Sequence, residues 1–261
     1  MSLRRLKDSP EYYKYDYVNE DAQLARDIMT YTKDIVKSKG FWMVNILSYL
    51  LTMSVSYYFT FFLYYMDNIL KATATQSVVI DLVNGLMLFL AIPIIPSIQR
   101  KYGTKISFVY LIIPGIIGFA GLYFTNSLVS AFIFFALIVI TDGFQQTIMG
   151  PTVSLVIDED WQRTNKRKIG YINALSSLVK KPASGIRAFI FGAILSYYGY
   201  DGTLAVQSES AITGLRVASS IVPLISLGLA VVVILLLPYS KKVEDEIIAK
   251  RIEMEEGSQE C

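Results

Sequence analysis

Tyr171–Tyr200 reads YINALSSLVKKPASGIRAFIFGAILSYYGY. It is apolar enough to cross a bilayer, yet it carries Lys180, Lys181 and Arg187. On a helix advancing about 100° per residue, Asn173, Ser177, Lys180, Ser184 and Arg187 share one stripe, with Lys181 at its edge. Ile, Leu, Phe and Ala occupy the opposite face. A cation at mid-bilayer costs at least about 2.5–3.5 kcal/mol on insertion scales. Two readings follow. Either the stripe borders a wet cavity or acidic partners, the logic of a transport pathway, or the helix proper begins at Pro182 and the two lysines are ordinary flanking charges.

The rest of the chain resembles this stretch in character. Of its 261 residues 53% are hydrophobic and the mean hydropathy is +0.45, which points to a polytopic, all-α membrane protein. The net charge of +2 carries no message about nucleic acid, and no nucleic-acid partner is expected. There is no histidine, and the one cysteine is Cys261. Disulfides within the chain are therefore excluded, and a zinc or haem site of the usual ligands is not expected. No nucleophile–base pair, metal set or phosphate loop is visible, so neither an enzyme nor a cofactor is expected. A long polar lead-in precedes the first apolar run, which is not the pattern of a secretory signal.

That lead-in, residues 1–40, is basic and tyrosine-rich. From Asp21 onward Leu24, Ile28, Ile35 and Val36 recur at helical spacing, as in a helix lying along a membrane surface or in a solvated tail with a weak pattern. Six apolar spans follow in residues 41–238, each able to cross roughly 30 Å of hydrocarbon. They lie near Phe41–Tyr65, Val78–Ile98, Ile106–Phe124, Leu128–Ile157, Ile172–Tyr198 and Leu215–Pro238. Residues 239–261 form a polar tail.

Charge orients the spans. The lead-in, the Arg100–Lys105 turn, the Arg163–Lys168 loop and the tail hold nearly all basic residues outside the spans, leaving Lys71 and Arg216 on the other side. The positive-inside rule then puts both termini in the cytoplasm of a multi-pass protein of the cell membrane.

Within the spans, polar residues mark candidate sites. Asn45, Ser48, Thr52, Ser56 and Thr60 line one face of the first span, suited to bonding a neighbouring helix or a solute. Tyr57, Tyr58, Tyr64 and Tyr65 read first as an interfacial belt and second as a sugar-stacking platform. Pro93 and Pro96 are expected to kink or end the second span, which also carries Asp81 and Asn84. Pro114, Gly115, Gly118 and Gly121 in the third span permit close helix packing. In the fourth, Asp142 sits near mid-membrane, followed by Gln145, Gln146 and Thr147, and Gly143, Gly150 and Pro151 imply an interrupted helix. Asp142 and Lys181 should differ in depth by about one turn, so an ion pair of Asp142 with Lys180, Lys181 or Arg187 is expected, functional or purely structural.

The loop Val156–Gly170, VIDEDWQRTNKRKIG, resembles the cytoplasmic signature of the glycoside–pentoside–hexuronide cation symporters, the melibiose-permease branch of the major facilitator superfamily. Asp158 and Arg167 match that signature. Lys181 falls where the family keeps an intramembrane lysine, and Ser177 where melibiose permease has threonine. Tyr198, Gly199, Tyr200, Gln207, Ser208, Gly214 and Pro223 continue the similarity, as do QRKYGTK and the tail LPYSKKVEDEIIAKRIE. The chain departs from the pattern at Leu155, Gln146 and Ile169, where the family has an aspartate, a sugar-site tryptophan and an acidic residue.

The resemblance implies a fold of six transmembrane helices forming one major-facilitator half, built from two inverted three-helix repeats. It implies a half-transporter that works with a separately encoded N-terminal half or as a homodimer, carrying a small polar solute such as a sugar or glycoside by Na+- or H+-coupled symport. Lys181, Lys180, Ser177, Asn173, Asp142, Gln145, Gln146 and Arg187 would line its solute and cation pathway. Asp158 and Arg167 would close the cytoplasmic side. The alternative is a membrane scaffold, a regulatory subunit or a truncated transporter without activity.

Overall fold

A computed structural model describes residues 29–257. Part of the lead-in helix expected from Asp21, including Leu24 and Ile28, lies outside the described residues, as does Cys261; residues 29–36 are helical. The chain divides into two compact units at Lys39/Gly40, and the second holds the apolar spans.

Every element of that unit is a helix. In chain order they are α1 (Lys39–Val55), α2 (Tyr58–Asn68), α3 (Ala74–Ala91), α4 (Ile95–Phe124) and α5 (Leu128–Thr164). There follow α6 (Ile169–Lys180), α7 (Pro182–Tyr197), α8 (Glu209–Arg216), a π-helical turn at Val217–Ile221, α9 (Val222–Leu236) and α10 (Lys241–Gly257). Four helical rods are long and apolar enough to cross a membrane: α1–α2, α4, α5 and α8–α9. With the shorter α3 and the divided α6–α7, they give the polytopic all-α arrangement expected from the sequence.

Exposure is inverted relative to a water-soluble bundle. On α9, Ile225, Leu229, Val232 and Leu236 stand exposed at spacings of three and four, an apolar stripe suited to lipid. Hydroxyls and amides instead turn inward, with Ser107, Thr104, Thr141, Thr152, Ser219 and Asn84 all fully buried. The longest contact, α4 against α5, is a close one: a Cβ on Gly118 would lie 2.8 Å from Ile138 Cγ1 and from the Phe134 carbonyl. A glycine there lets the backbones approach without a side chain between them.

Three expectations are corrected. The first span is not one helix, because the ladder breaks at Ser56–Tyr57 without proline or glycine. Tyr57, Tyr58 and Tyr65 are no interfacial belt: they are buried in an aromatic cluster with Phe61, Phe62 and Phe135, and only Tyr64 is exposed. The Tyr58 and Tyr65 hydroxyls still find partners, Asp81 Oδ1 (3.0 Å) and the Leu122 carbonyl (2.5 Å). Finally, α5 is uninterrupted through Gly143, Gly150 and Pro151. One proline removes a single N–H, and the rest of the ladder of this long helix carries on through it.

The prolines of the second span do end a helix: α3 stops at Ala91 and α4 starts at Ile95, with Pro96 in its first turn. The basic turn lies within α4 at Gly103, whose φ of +78° and ψ of 168° interrupt the helix. Cations finish two helices from a distance. Arg216 donates to the carbonyls of Tyr123, in the last turn of α4, and Thr125, just past it (2.8 and 2.9 Å), and to Asn126 Oδ1. Lys105 Nζ donates to the Leu235 carbonyl at the end of α9, 2.7 Å away. Both meet the negative, unsatisfied end of a helix.

Candidate functional site: a polar interhelical cavity and the basic end of the bundle

Ser48 and Thr52 lie four residues apart on α1 and so face one way, and Ser56, in the turn just past its end, lines the same space. Opposite them α5 presents Asp142, Gln145 and Gln146, and α6 presents Asn173 and Lys180. These residues enclose a cavity of about 610 Å³, within the range of small-molecule sites. Helix phase explains the set: Asp142, Gln145, Gln146 and Met149 lie within one face of a continuous helix, which an interruption at Gly143 would have scattered.

Gln145 Nε2 donates to Thr52 Oγ1 at 3.0 Å, tying α5 to α1. Its Oε1 is buried without a hydrogen-bond partner among the described residues. Asp142 is buried and accepts from Gln146 Nε2 at 3.4 Å. The expected ion pair between Asp142 and a basic residue of the fifth span does not form among the described residues. Asp142 and Lys180 instead line the same cavity from different helices.

The fifth span is helical well before Pro182: α6 begins at Ile169, which puts Lys180 roughly 16 Å along the helix. Lys181 keeps helical dihedrals (φ −51°, ψ −41°) at the join and is exposed. Ser177 is exposed and donates to the Asn173 carbonyl at 2.8 Å. Arg187, half-buried on α7, brings Nη1 to 3.5 Å from the Thr52 carbonyl beside the break between α1 and α2. Thr52 thus meets α5 through its hydroxyl and α7 through its carbonyl.

At the basic end, Arg167 Nη2 lies 3.8 Å from Asp158 Oδ1. The family resemblance picks out these two residues but not their companions on α10. Arg251 Nη1 is 3.3 Å from Asp158 Oδ2, and Arg167 Nη1 is 3.0 Å from Glu255 Oε1. Asp160 receives Arg163 (2.9 Å) and Lys168 (3.7 Å). Glu244 Oε2 accepts the Thr104 N–H at 2.8 Å, next to Gly103. Tyr239 donates to Glu159 Oε2 at 2.5 Å, and burial followed by that carboxylate pushes its hydroxyl above the ordinary tyrosine range. The tail is therefore a packed helix that clasps the ends of α4 and α5.

A family model described as MFS/sugar transport protein matches residues 10–241. The glucuronide carrier protein homolog of Escherichia coli (strain K12) is 25% identical over 190 residues, which cover 72% of this chain and 41% of that protein. The match thus spans well under half of the carrier's length.

Proposed function

The chain belongs to the MFS/sugar transport family, and from that premise we propose that it supplies one half of a secondary transporter for a small polar solute, a sugar or glycoside. The observation that carries this reading is the polar cavity between α1, α5 and α6, in which a buried carboxylate and a lysine face one space without neutralising each other. Hydroxyl-rich solutes need such a mixture of donors and acceptors. Lys180 and the Gln146 amide donate, while Asp142 and the hydroxyls of Ser48 and Ser56 accept.

The facing wall is a second six-span unit, either a distinct N-terminal half or a second copy. Transport is coupled to Na+ or H+. A cation arriving at Asp142, or at acids of the facing unit, changes the field at Lys180, and by linkage solute and cation binding then alter each other. The basic end lies in the cytoplasm of the cell membrane. There the pairs of Asp158 with Arg167 and Arg251 hold the pathway closed and break as the halves rock.

Gentle purification of the tagged chain, with its companion, followed by reconstitution into liposomes tests this reading. Uptake of radiolabelled methyl glycosides is measured with and without an inward Na+ or H+ gradient. Lys180→Ala is expected to lower uptake at least tenfold and Lys181→Ala much less. Gradient-independent uptake removes the coupling, and uptake indifferent to Lys180 removes the proposed site.

A further inference from the structure

The polar stripe of the first span does not stop at the cavity. Past the break, Thr60, Tyr64 and Asp67 continue from Ser56 at helical spacing, and Tyr64 and Asp67 open onto a second hollow at the end of the bundle opposite the basic one. Two adjoining cavities, of about 550 and 460 Å³, meet there over Asp67, Asn68, Ala72 and Tyr200. Tyr64 is roughly 12 Å beyond Ser56. Between the two regions stands Phe191, with ring centroids 6.0 Å from Tyr57 and 5.3 Å from Tyr64.

Both walls of this hollow are prebuilt. Helix α2 ends with Lys71 in the left-handed region (φ +50°), and the Ala72 N–H closes onto the Met66 carbonyl at 2.9 Å, which fixes the last turn. On the other side the Gln207 amide clamps Asp201, donating to its carbonyl (2.6 Å) and accepting its N–H (3.1 Å). Asn68 Nδ2 donates to Tyr200 OH at 3.3 Å, and the Tyr64 and Tyr200 rings meet edge to face at 5.8 Å. Asp67 sits between these fixed groups with no hydrogen bond or ion pair among the described residues, although it is near enough to Tyr200 to raise that hydroxyl's pKa along with burial and Tyr64.

From this arrangement we propose that Asp67, Asn68, Tyr64 and Tyr200 form a capture site for a pyranoside, distinct from the central cavity and placed ahead of it on the same face of the first span. A free carboxylate can accept from two neighbouring hydroxyls in charge-assisted hydrogen bonds, and the Asn68 Oδ1 adds a third acceptor. Amphipathic tyrosine rings offer apolar faces to the C–H face of a sugar ring. The combined space admits a mono- or disaccharide, and the Tyr57–Phe191–Tyr64 contact separates it from the inner site. The ligand class rests on the sugar-transport reading, whereas the site's geometry does not.

The test is saturation-transfer NMR on the purified full chain in nanodiscs, with methyl β-D-glucopyranoside and methyl β-D-glucopyranosiduronate as probes. The site requires a component of transfer to the pyranoside ring protons that persists in Lys180→Ala, and that Asp67→Ala or Tyr200→Ala, each made in the Lys180→Ala background, weakens at least tenfold. Asp67 is exposed at the mouth, so its replacement leaves the fold intact, which the unchanged circular dichroism of the variant verifies. Binding indifferent to Asp67, or lost only in Lys180→Ala, overturns the capture site while leaving the central cavity standing. Absence of transfer from either probe also overturns it, and Lys180-dependent uptake then judges the transport reading by itself.

Discussion

Arg251 of α10 places Nη1 3.3 Å from Oδ2 of Asp158, on the last turns of α5. Asp158 is almost wholly buried, and Arg167 approaches its other oxygen. A carboxylate so placed is held by two cations that are each about one-third exposed, so each pair contributes only about 1 kcal/mol after solvent screening. Removing the shared anion is another matter, because two guanidinium groups then face each other across the site. Asp158→Ala is expected to destabilise the chain by about 2 kcal/mol and Arg251→Ala by about 1 kcal/mol or less. Thermal unfolding of the two variants in the same detergent checks the order.

Gly103 gives a second handle on the same clasp. A Cβ there would meet the Lys241 side chain and Cα at 3.0–3.1 Å, and φ is already +78°. Gly103→Ala combines left-handed strain with a clash against the start of α10 and is expected to cost about 1–3 kcal/mol. Because the adjacent Thr104 N–H binds Glu244, the damage should spread to α10. Limited proteolysis near Pro238 should therefore quicken in the variant, and equal cleavage rates would show that α10 is held without this turn.

What the sequence discloses follows the range of the interactions. Apolar runs and basic loops are local, so the spans and the proline-marked end of α3 are readable. Asp158 and Arg167 could be picked out from a motif, but their pairing and the part of Arg251 and Glu255 could not, since nothing in LPYSKKVEDEIIAKRIE indicates which charges it meets. The break at Ser56–Tyr57 carries no proline or glycine to announce it. Conversely, Pro151 signalled an interruption, but the helix runs through it with the loss of one backbone hydrogen bond. Helix phase placed Lys180 and Asp142 on polar faces, yet only the packing of α6 against α5 shows that they share a cavity rather than a salt bridge.

Buried polar groups inside the spans are not equivalent. Tyr58 donates to Asp81, while Asn84, one turn further along α3, is fully buried with neither carboxamide atom hydrogen-bonded among the described residues. Losing a made bond costs stability, whereas removing an unmade one relieves a desolvation penalty. Tyr58→Phe is expected to cost about 1 kcal/mol, and Asn84→Leu to be neutral or stabilising. Unfolding midpoints in a denaturant series decide it, and a large loss in Asn84→Leu would mean that Asn84 has a ligand.

The loop beside the proposed capture site has a defined pH response. The Thr203 N–H and hydroxyl both donate to Asp201 Oδ1 and hold its carboxyl below the usual carboxylate range. A lowered folded-state pKa means that the contact contributes at neutral pH and is lost only as pH falls through that depressed value. Protection of the Thr203 amide against hydrogen exchange should therefore persist through the ordinary carboxylate range and disappear only at lower pH. In Asp201→Asn the acid-dependent step should vanish. Loss of protection between pH 7 and 5 would contradict the assignment.

The polar cavity itself can be mapped without knowing the solute, because Cys261 is the chain's one cysteine. Cys261→Ser provides a background in which a single introduced thiol reports its own surroundings. Ser56→Cys and Asn173→Cys lie on two walls of the cavity, whereas Leu229→Cys lies on the exposed apolar stripe of α9. A charged, membrane-impermeant thiol reagent reacts with a thiolate, which forms readily in water and hardly at all in hydrocarbon. Labelling at Ser56 and Asn173 is thus expected to be at least about tenfold faster than at Leu229 in intact liposomes. If all three thiols are equally inert, α1 and α6 face lipid or a dry helix interface, and Asp142 and Lys180 have no water between them. If Ser56 and Asn173 react and a methyl glycoside slows both, the solute occupies the space between the first and fifth spans.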